Sequence, residues 1–203
     1  MFLFDTMQDY ILEDDCVLLR PLETKDCANL LDFSLQEPDI WRYSLLQAGG
    51  EENLKQYIHI ALEAKKAGRE YPFIVFDKRT QKYAGSTRFY DIQIPYKTLQ
   101  LGYTWYGKQF QGTGLNRHCK YLLLQFAFET MGMERVEFRA DNNNARSIAA
   151  MKSIGCTVEG VLRSHMPTYN SDVRRDSIVL SILKNEWENH VKQQLANKLK
   201  ANV

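Results

Sequence analysis

Between Tyr106 and Leu115 the hydrophobic period of this chain changes, and the change limits the folds open to it. On the N-terminal side lie three runs, residues 71–76, 83–90 and 98–106, dense in aromatic and β-branched side chains. The turn-forming stretches Asp77-Lys78-Arg79-Thr80 and Ile94-Pro95-Tyr96 separate them, which predicts an antiparallel meander. On the C-terminal side Leu115, Cys119, Leu122, Leu123 and Phe126 recur at helical spacing, and Leu124 and Phe128 widen the apolar face. The join carries three glycines, Gly107, Gly112 and Gly114. Strands that end in a glycine-rich turn and a broad-faced helix call for a sheet with that helix packed over it.

The flanking segments extend the pattern. Residues 16–22 read as a first strand, interrupted by Pro21, and Thr24 as the N-cap of a helix through Leu30, Leu31 and Phe33. A second helix runs from Glu51, after Gly49-Gly50, to a stop at Gly68. The helix after the glycine turn ends near Met131-Gly132. Residues 134–140 then alternate as a strand at Val136, Phe138 and Ala140, and a shorter helix from Ala145 stops at Gly155. Strands over 157–162 and 177–183 follow, and Trp187, Val191, Leu195 and Leu199 line one face of a C-terminal helix. The order β-α-α-β-β-β-α-β-α-β-β predicts an α/β (α+β) fold with a mixed central sheet and helices on its faces. With no repeat and no Pro/Gly/Ser linker, we expect an arm over residues 1–15, one domain over 16–184 and a helical tail over 185–203.

Composition narrows the function classes. A 44% hydrophobic and 12% aromatic content excludes a disordered chain. Lys+Arg 26 against Asp+Glu 25 leaves a net charge of +1, so no global field draws nucleic acid or an acidic membrane. Cys16, Cys27, Cys119 and Cys156 are scattered with no C-x-x-C pair, which predicts neither a metal site nor a disulfide framework. Met1 to Asp5 has no basic secretory n-region, and no apolar run approaches the ~18 residues of a membrane span. The expected location is cytoplasmic.

The glycine turn is where chemistry is expected. Backbone N–H groups of such a loop converge beside the positive end of the helix dipole, where phosphate oxygens are stabilised. The alternative is an ordinary turn whose glycines only permit positive φ. Gly107-x-x-x-x-Gly112 is followed by Thr113-Gly114 rather than Lys-Ser/Thr, which argues against a nucleotide triphosphatase loop. The third glycine of a dinucleotide fingerprint is replaced by Arg117.

Gln109-x-x-Gly112-x-Gly114 fits a different pattern: here the sequence resembles the GNAT superfamily of acetyl-CoA-dependent N-acetyltransferases. Asn144-Ala145-Arg146-Ser147, Lys152-Ser153-Ile154-Gly155-Cys156 and Glu159-Gly160-Val161-Leu162-Arg163 resemble its RimJ/RimL-like branch of ribosomal-protein N-acetyltransferases. The resemblance implies a mostly antiparallel sheet whose fourth and fifth strands, residues 98–106 and 134–140, splay apart. It implies acetyl-CoA as cosubstrate, with Thr104, Trp105 and Tyr106 offering backbone to the pantetheine arm. Gln109 opens the loop motif, and Gln111, Gly112, Thr113, Gly114, Leu115 and Asn116 would wrap the pyrophosphate. Arg117 or Lys120 would reach the adenosine phosphate, Asn144 would hold the pantetheine amide, and Ser147 would lie near the sulfur as a possible proton donor. Helix capping by Asn144 and core packing by Trp105 are the competing structural readings.

Two positions depart from the family. A tyrosine often serves as general acid where this chain has Met151, and Cys156 replaces the phenylalanine after Gly155. Asp91, Glu137 and Asp141 lie in or near the central strands, yet none is singled out as general base. Trp41, Tyr43, Arg88 and Tyr90 are candidates for the acceptor pocket, together with the segment 165–176. The expected acceptor is a small-molecule amine or a protein N-terminus, with a homodimer as a further expectation of the family. A CoA-binding module without turnover, or another nucleotide-binding protein, are the alternatives.

Overall fold

The aromatic-rich runs form the predicted meander. In the computed structural model, which describes residues 4–169 and 171–200, β3 (Tyr71–Asp77), β4 (Lys82–Gln93) and β5 (Thr98–Tyr106) pair antiparallel in sequence order. On the far side of β3 lie β2 (Val17–Pro21) and a two-residue β1 (Leu12–Glu13), too short to show a period in the sequence. After β5 the chain crosses over through α3 (Leu115–Gln125) and returns as β6 (Arg135–Asp141), parallel to β5. The hairpin of β7 (Thr157–Pro167) and β8 (Arg174–Leu183) completes the sheet, in the order β1-β2-β3-β4-β5-β6-β8-β7.

Alternation along β5 places the helices. Trp105 stacks edge-on with Phe33 of α1 (Asp26–Gln36), and Tyr103 accepts a bond at its carbonyl from Tyr57 of α2 (Glu51–Lys66). Thr104 and Tyr106 instead bond to Lys120 and Asn116 of α3. The first two helices and α3 therefore cover opposite faces. Leu115, Cys119, Leu123 and Leu124 are fully buried beneath the sheet, each large side chain contributing roughly 1.5–3 kcal/mol. The short α4 (Ala145–Ser153) packs against β6.

Several boundaries differ from the sequence expectation. The helix begins after Lys25 with no side-chain cap, so Thr24 does not fill that role. Asp26 organises this end from inside the first turn: it accepts from Glu23 N at 2.9 Å, Asn29 Nδ2 at 2.8 Å and both Arg20 Nη atoms at 2.8 and 2.6 Å. The α3 helix passes into a π turn at Phe126–Thr130, and the C-terminal helix contains another at Trp187–Val191. The two turns meet, with Phe128 and Trp187 stacked at 5.7 Å and Trp187 Nε1 donating to Glu129 at 2.8 Å. Hairpin β7–β8 extends beyond residues 157–162 and 177–183 because its outer part is solvent-exposed and carries no apolar alternation to read.

Asp26 is fully buried, and burial alone would raise its pKa; the bonds from Arg20, Glu23 N and Asn29 more than offset this and hold it below the ordinary value. Asp26→Asn is expected to cost about 3 kcal/mol, because it strands the Arg20 guanidinium against a neutral partner. Urea unfolding at neutral pH measures this. A depressed native pKa makes the wild-type contribution complete above about pH 4 and lost as pH falls through the native value. The difference between wild type and variant should therefore shrink on acidification.

Candidate active site

A bulge in the meander starts the site. Ser86 pairs with Trp105 and Arg88 with Gly102, so Thr87 alone opposes Tyr103 and Thr104. Tyr103 takes φ +48°, a left-handed conformation that a bulky residue holds only under tight packing. Tyr90 packs edge-on at 5.0 Å, and the Arg88 guanidinium lies 4.1 Å from the ring centroid. Beyond Gln100 the pairing of β5 with β6 stops: only Thr98, Leu99 and Gln100 oppose Arg135, Val136 and Glu137. From Leu101 to Tyr106 one edge of β5 faces a cavity of about 810 Å³ instead of a strand.

The glycine turn closes one end of this cavity. Gly112 and Gly114 have φ of +78° and +87°, with no atom within 4 Å of an added Cβ. Their need for glycine is thus conformational, and it leaves the approach to the backbone open. Gly114 precedes α3 with no side-chain cap, and no acid stands in the first turn. Within that turn Leu115 N lies 3.4 Å from Thr113 Oγ1 and Arg117 N bonds to Gly114 O at 2.9 Å, so among the described residues Asn116 N is left to meet an anion at the positive end of the helix. Arg117 lines the cavity beside them, and Arg146 lines it from α4, donating to Gln111 Oε1. The profile of the acetyltransferase (GNAT) domain family matches residues 17–157.

The chain belongs to the GNAT acetyltransferases. A solved structure from T. thermophilus, described as an acetyltransferase, is 30% identical, covers 98% of this chain and 100% of its own, and superposes with a TM-score of 0.85. A GCN5-related N-acetyltransferase from Brucella melitensis shares the fold at a TM-score of 0.84 and 23% identity, over 94% of this chain and 85% of that one. YdaF of Bacillus subtilis (strain 168), whose name provisionally assigns it to ribosomal N-acetyltransferases, is 24% identical over 187 residues, 85% of this chain and 93% of its own.

Within this GNAT fold, the residues singled out in the sequence do not all meet. Thr104, Trp105, Tyr106, Gln111, Gly112, Gly114, Asn116, Arg117, Asn144 and Ser147 line the cavity. Gln109 is exposed on the turn before the loop, Thr113 bonds back to Phe110 O, and Leu115 is buried in the core. Lys120 also lines the cavity, but it points into the sheet, away from the position expected of a phosphate ligand. Asn144 Oδ1 accepts from Ser147 N at 3.1 Å, the cap that begins α4. Met151 lines the wall, and burial raises the Cys156 thiol far above its ordinary value, so it is no nucleophile.

Of the side chains expected at the acceptor pocket, Tyr43 and Tyr90 line the cavity. Trp41 does not; it is fully buried and packs edge-on against Trp105 at 4.8 Å. Arg88 is also fully buried, sandwiched between Tyr57 and Tyr103 and bonded to Glu70 at 2.7 Å, so it supports the bulge from below. Sequence reasoning missed Arg139 and Gln100, whereas Arg175 belongs to the segment 165–176 expected at the acceptor pocket, and it lines the cavity with His165 and Met166. The alternation of Glu137, Arg139 and Asp141 against Val136, Phe138 and Ala140 was visible, but only the parted strands reveal that the stretch from Phe138 to Asp141 lines a cavity. Arg175 reaches across to Tyr43 O at 3.1 Å. The acids are occupied: Asp91 accepts from Gln93 and Gln100, Glu137 from Arg135 and Arg139, and Asp141 from Asn143 N. Gln100 Oε1 and Trp105 Nε1 are buried without a partner among the described residues, and both residues line the cavity.

Asn144→Ala should lower stability by about 1 kcal/mol through loss of the cap, and Asn144→Asp should restore it because the accepting oxygen is kept. Chemical denaturation of the pair checks this.

Proposed function

We propose that the protein transfers an acetyl group from acetyl-CoA to a primary amine, by direct attack of the amine in a ternary complex. The observation that carries this is the open edge of β5 ending at the uncapped start of α3. An extended amide-bearing arm can bond to the edge as an added strand. Its pyrophosphate then reaches Gly112 to Asn116, with Arg117 and Arg146 supplying positive charge. The Asn144 amide N–H₂, left over once its oxygen caps α4, and the Ser147 hydroxyl can bond to the same arm. Partnerless Trp105 Nε1 and Gln100 Oε1 fit an occupant with polar atoms.

The chemistry asks for few groups. The acceptor nitrogen must be neutral, its attack on the thioester carbonyl develops an oxyanion, and thiolate leaves. The bulge at Tyr103 takes a backbone N–H out of the β4–β5 ladder, where it can meet that oxyanion. Tyr43, Tyr90, Arg139 and Arg175 shape the acceptor end, and relatives named for ribosomal proteins favour a protein N-terminus over a small amine. Alignment of the two reactants supplies much of the acceleration.

A thermal-shift titration with acetyl-CoA, CoA, ATP and NAD tests the cosubstrate. At a hundredfold excess over its dissociation constant a ligand adds about 2.7 kcal/mol of stability. We expect this from acetyl-CoA and CoA alone; a response confined to ATP or NAD would overturn the reading. Asn144→Asp, stable as wild type, should bind CoA at least tenfold more weakly, since it lacks the N–H₂ donors. Thiol release on addition of N-terminal peptides or small amines separates an enzyme from a binder.

A further inference from the structure

Lys120 is a buried cation with no counter-ion. Its residue is 5% exposed, and among the described residues no carboxylate pairs with it. Nζ donates to Thr104 Oγ1 at 2.8 Å and lies 3.5 Å from Thr87 Oγ1, while the two hydroxyls share a hydrogen at 2.7 Å. The ring of Phe138 on β6 lies 6.0 Å away. The titratable groups facing it are the thiols of Cys119, on its own helix, and Cys156, after α4. Burial lifts the first to about 12 and the second higher still, and it raises the Tyr106 phenol beside Cys119, so all three are neutral. Among the described residues nothing balances the ammonium, and burial draws its pKa down to about 8.

An unpaired buried charge is costly, and an apolar side chain would fill this place more cheaply. The position suggests what offsets the cost. Thr104 stands on the open stretch of β5, and Lys120 bridges toward Phe138 of β6, so the ammonium sits at the gap between the parted strands. Met151 on the same wall has no proton to give, and the Ser147 hydroxyl is too weak an acid to give one near neutral pH.

We propose that Lys120 is the proton donor to the thiolate that leaves during acetyl transfer. This rests on the acetyl-transfer reading above. The amine lone pair forms the C–N bond, the carbonyl re-forms as the C–S bond breaks, and sulfur takes the bonding pair. A proton moves from Lys120 Nζ to sulfur, so CoA departs as the thiol and the lysine is left neutral. The proton shed by the acceptor nitrogen passes through water and restores the ammonium. A donor whose pKa lies near the working pH serves this step well.

The test compares wild type with Lys120→Met and Lys120→Arg, using CoA itself as probe. The pKa of enzyme-bound CoA thiol is read from thiolate ultraviolet absorbance across a pH series. In wild type it should lie below that of free CoA; the shift should vanish in Lys120→Met and persist in Lys120→Arg, which keeps the charge. Lys120→Met should melt no lower than wild type and bind acetyl-CoA within about threefold, yet lose a hundredfold or more in kcat, within the range of a general acid. The fall of kcat above about pH 8 should disappear in both variants. A variant Lys120→Met with wild-type kcat, pH profile and thiol titration would sink the proposal, as would one that loses stability and CoA binding together. Should Lys120→Met not fold, Lys120→Arg decides: an unaltered pH limb overturns proton donation. If wild-type protein neither binds CoA nor releases thiol, the acetyl-transfer reading itself has failed.

Discussion

The contact between Arg88 and Tyr103 holds the rest of the site in place. Tyr103 is a bulky residue in left-handed backbone, a conformation that costs roughly 1–3 kcal/mol and persists only where its surroundings over-determine it. Arg88 provides that from below, its guanidinium stacked on the Tyr103 ring and anchored to Glu70, with Tyr57 closing the other side. Among the described residues two of its nitrogens, Nε and Nη2, have no hydrogen-bond partner, so the aromatic faces supply much of its stabilisation. Once Tyr103 is held, β5 carries one residue more than β4, bends, and leaves β6. The cavity, the free strand edge and the direction in which α3 presents its N-terminus all follow from that bend.

Charge is distributed to match. Arg117 and Arg146 stand near the glycine turn, the first half-buried and the second exposed to water. Lys120 stands alone in a dry part of the wall. Arg139 and Arg175 are each tied to protein groups, the first to Glu137 and the second to Ser177 and Tyr43 O, which fixes their orientation along the cavity wall. Cationic side chains thus meet three environments in one cavity, and the dielectric around each decides what it can do.

Much of the architecture was legible because it rests on local periodicity. The meander, the crossover helix and the strand from residue 135 follow from alternation and turn residues. The glycine turn was legible because backbone conformation at Gly112 and Gly114 restricts the residue type directly. What could not be read depends on contacts distant in sequence. Trp41 and Arg88 looked like pocket residues, but Trp105 and Glu70 claim them for the interior. Lys120 looked like a phosphate ligand near a helix start, and only the packing of α3 against β4 and β5 shows it turned inward to Thr87 and Thr104. The hairpin tip went unread because an exposed strand has no apolar face to mark it.

Three residue pairs, Thr98 to Gln100 with Arg135 to Glu137, are all that join β5 to β6 within the sheet. The sheet is in effect two half-sheets, one of five strands and one of three, pinned at one end like the arms of a clip. Each half makes its own internal hydrogen bonds, and the open end has none across the gap. A molecule seated there would bond to one arm and pack against the other as a strut, and the empty and loaded forms should differ in how freely the two arms move about that pin.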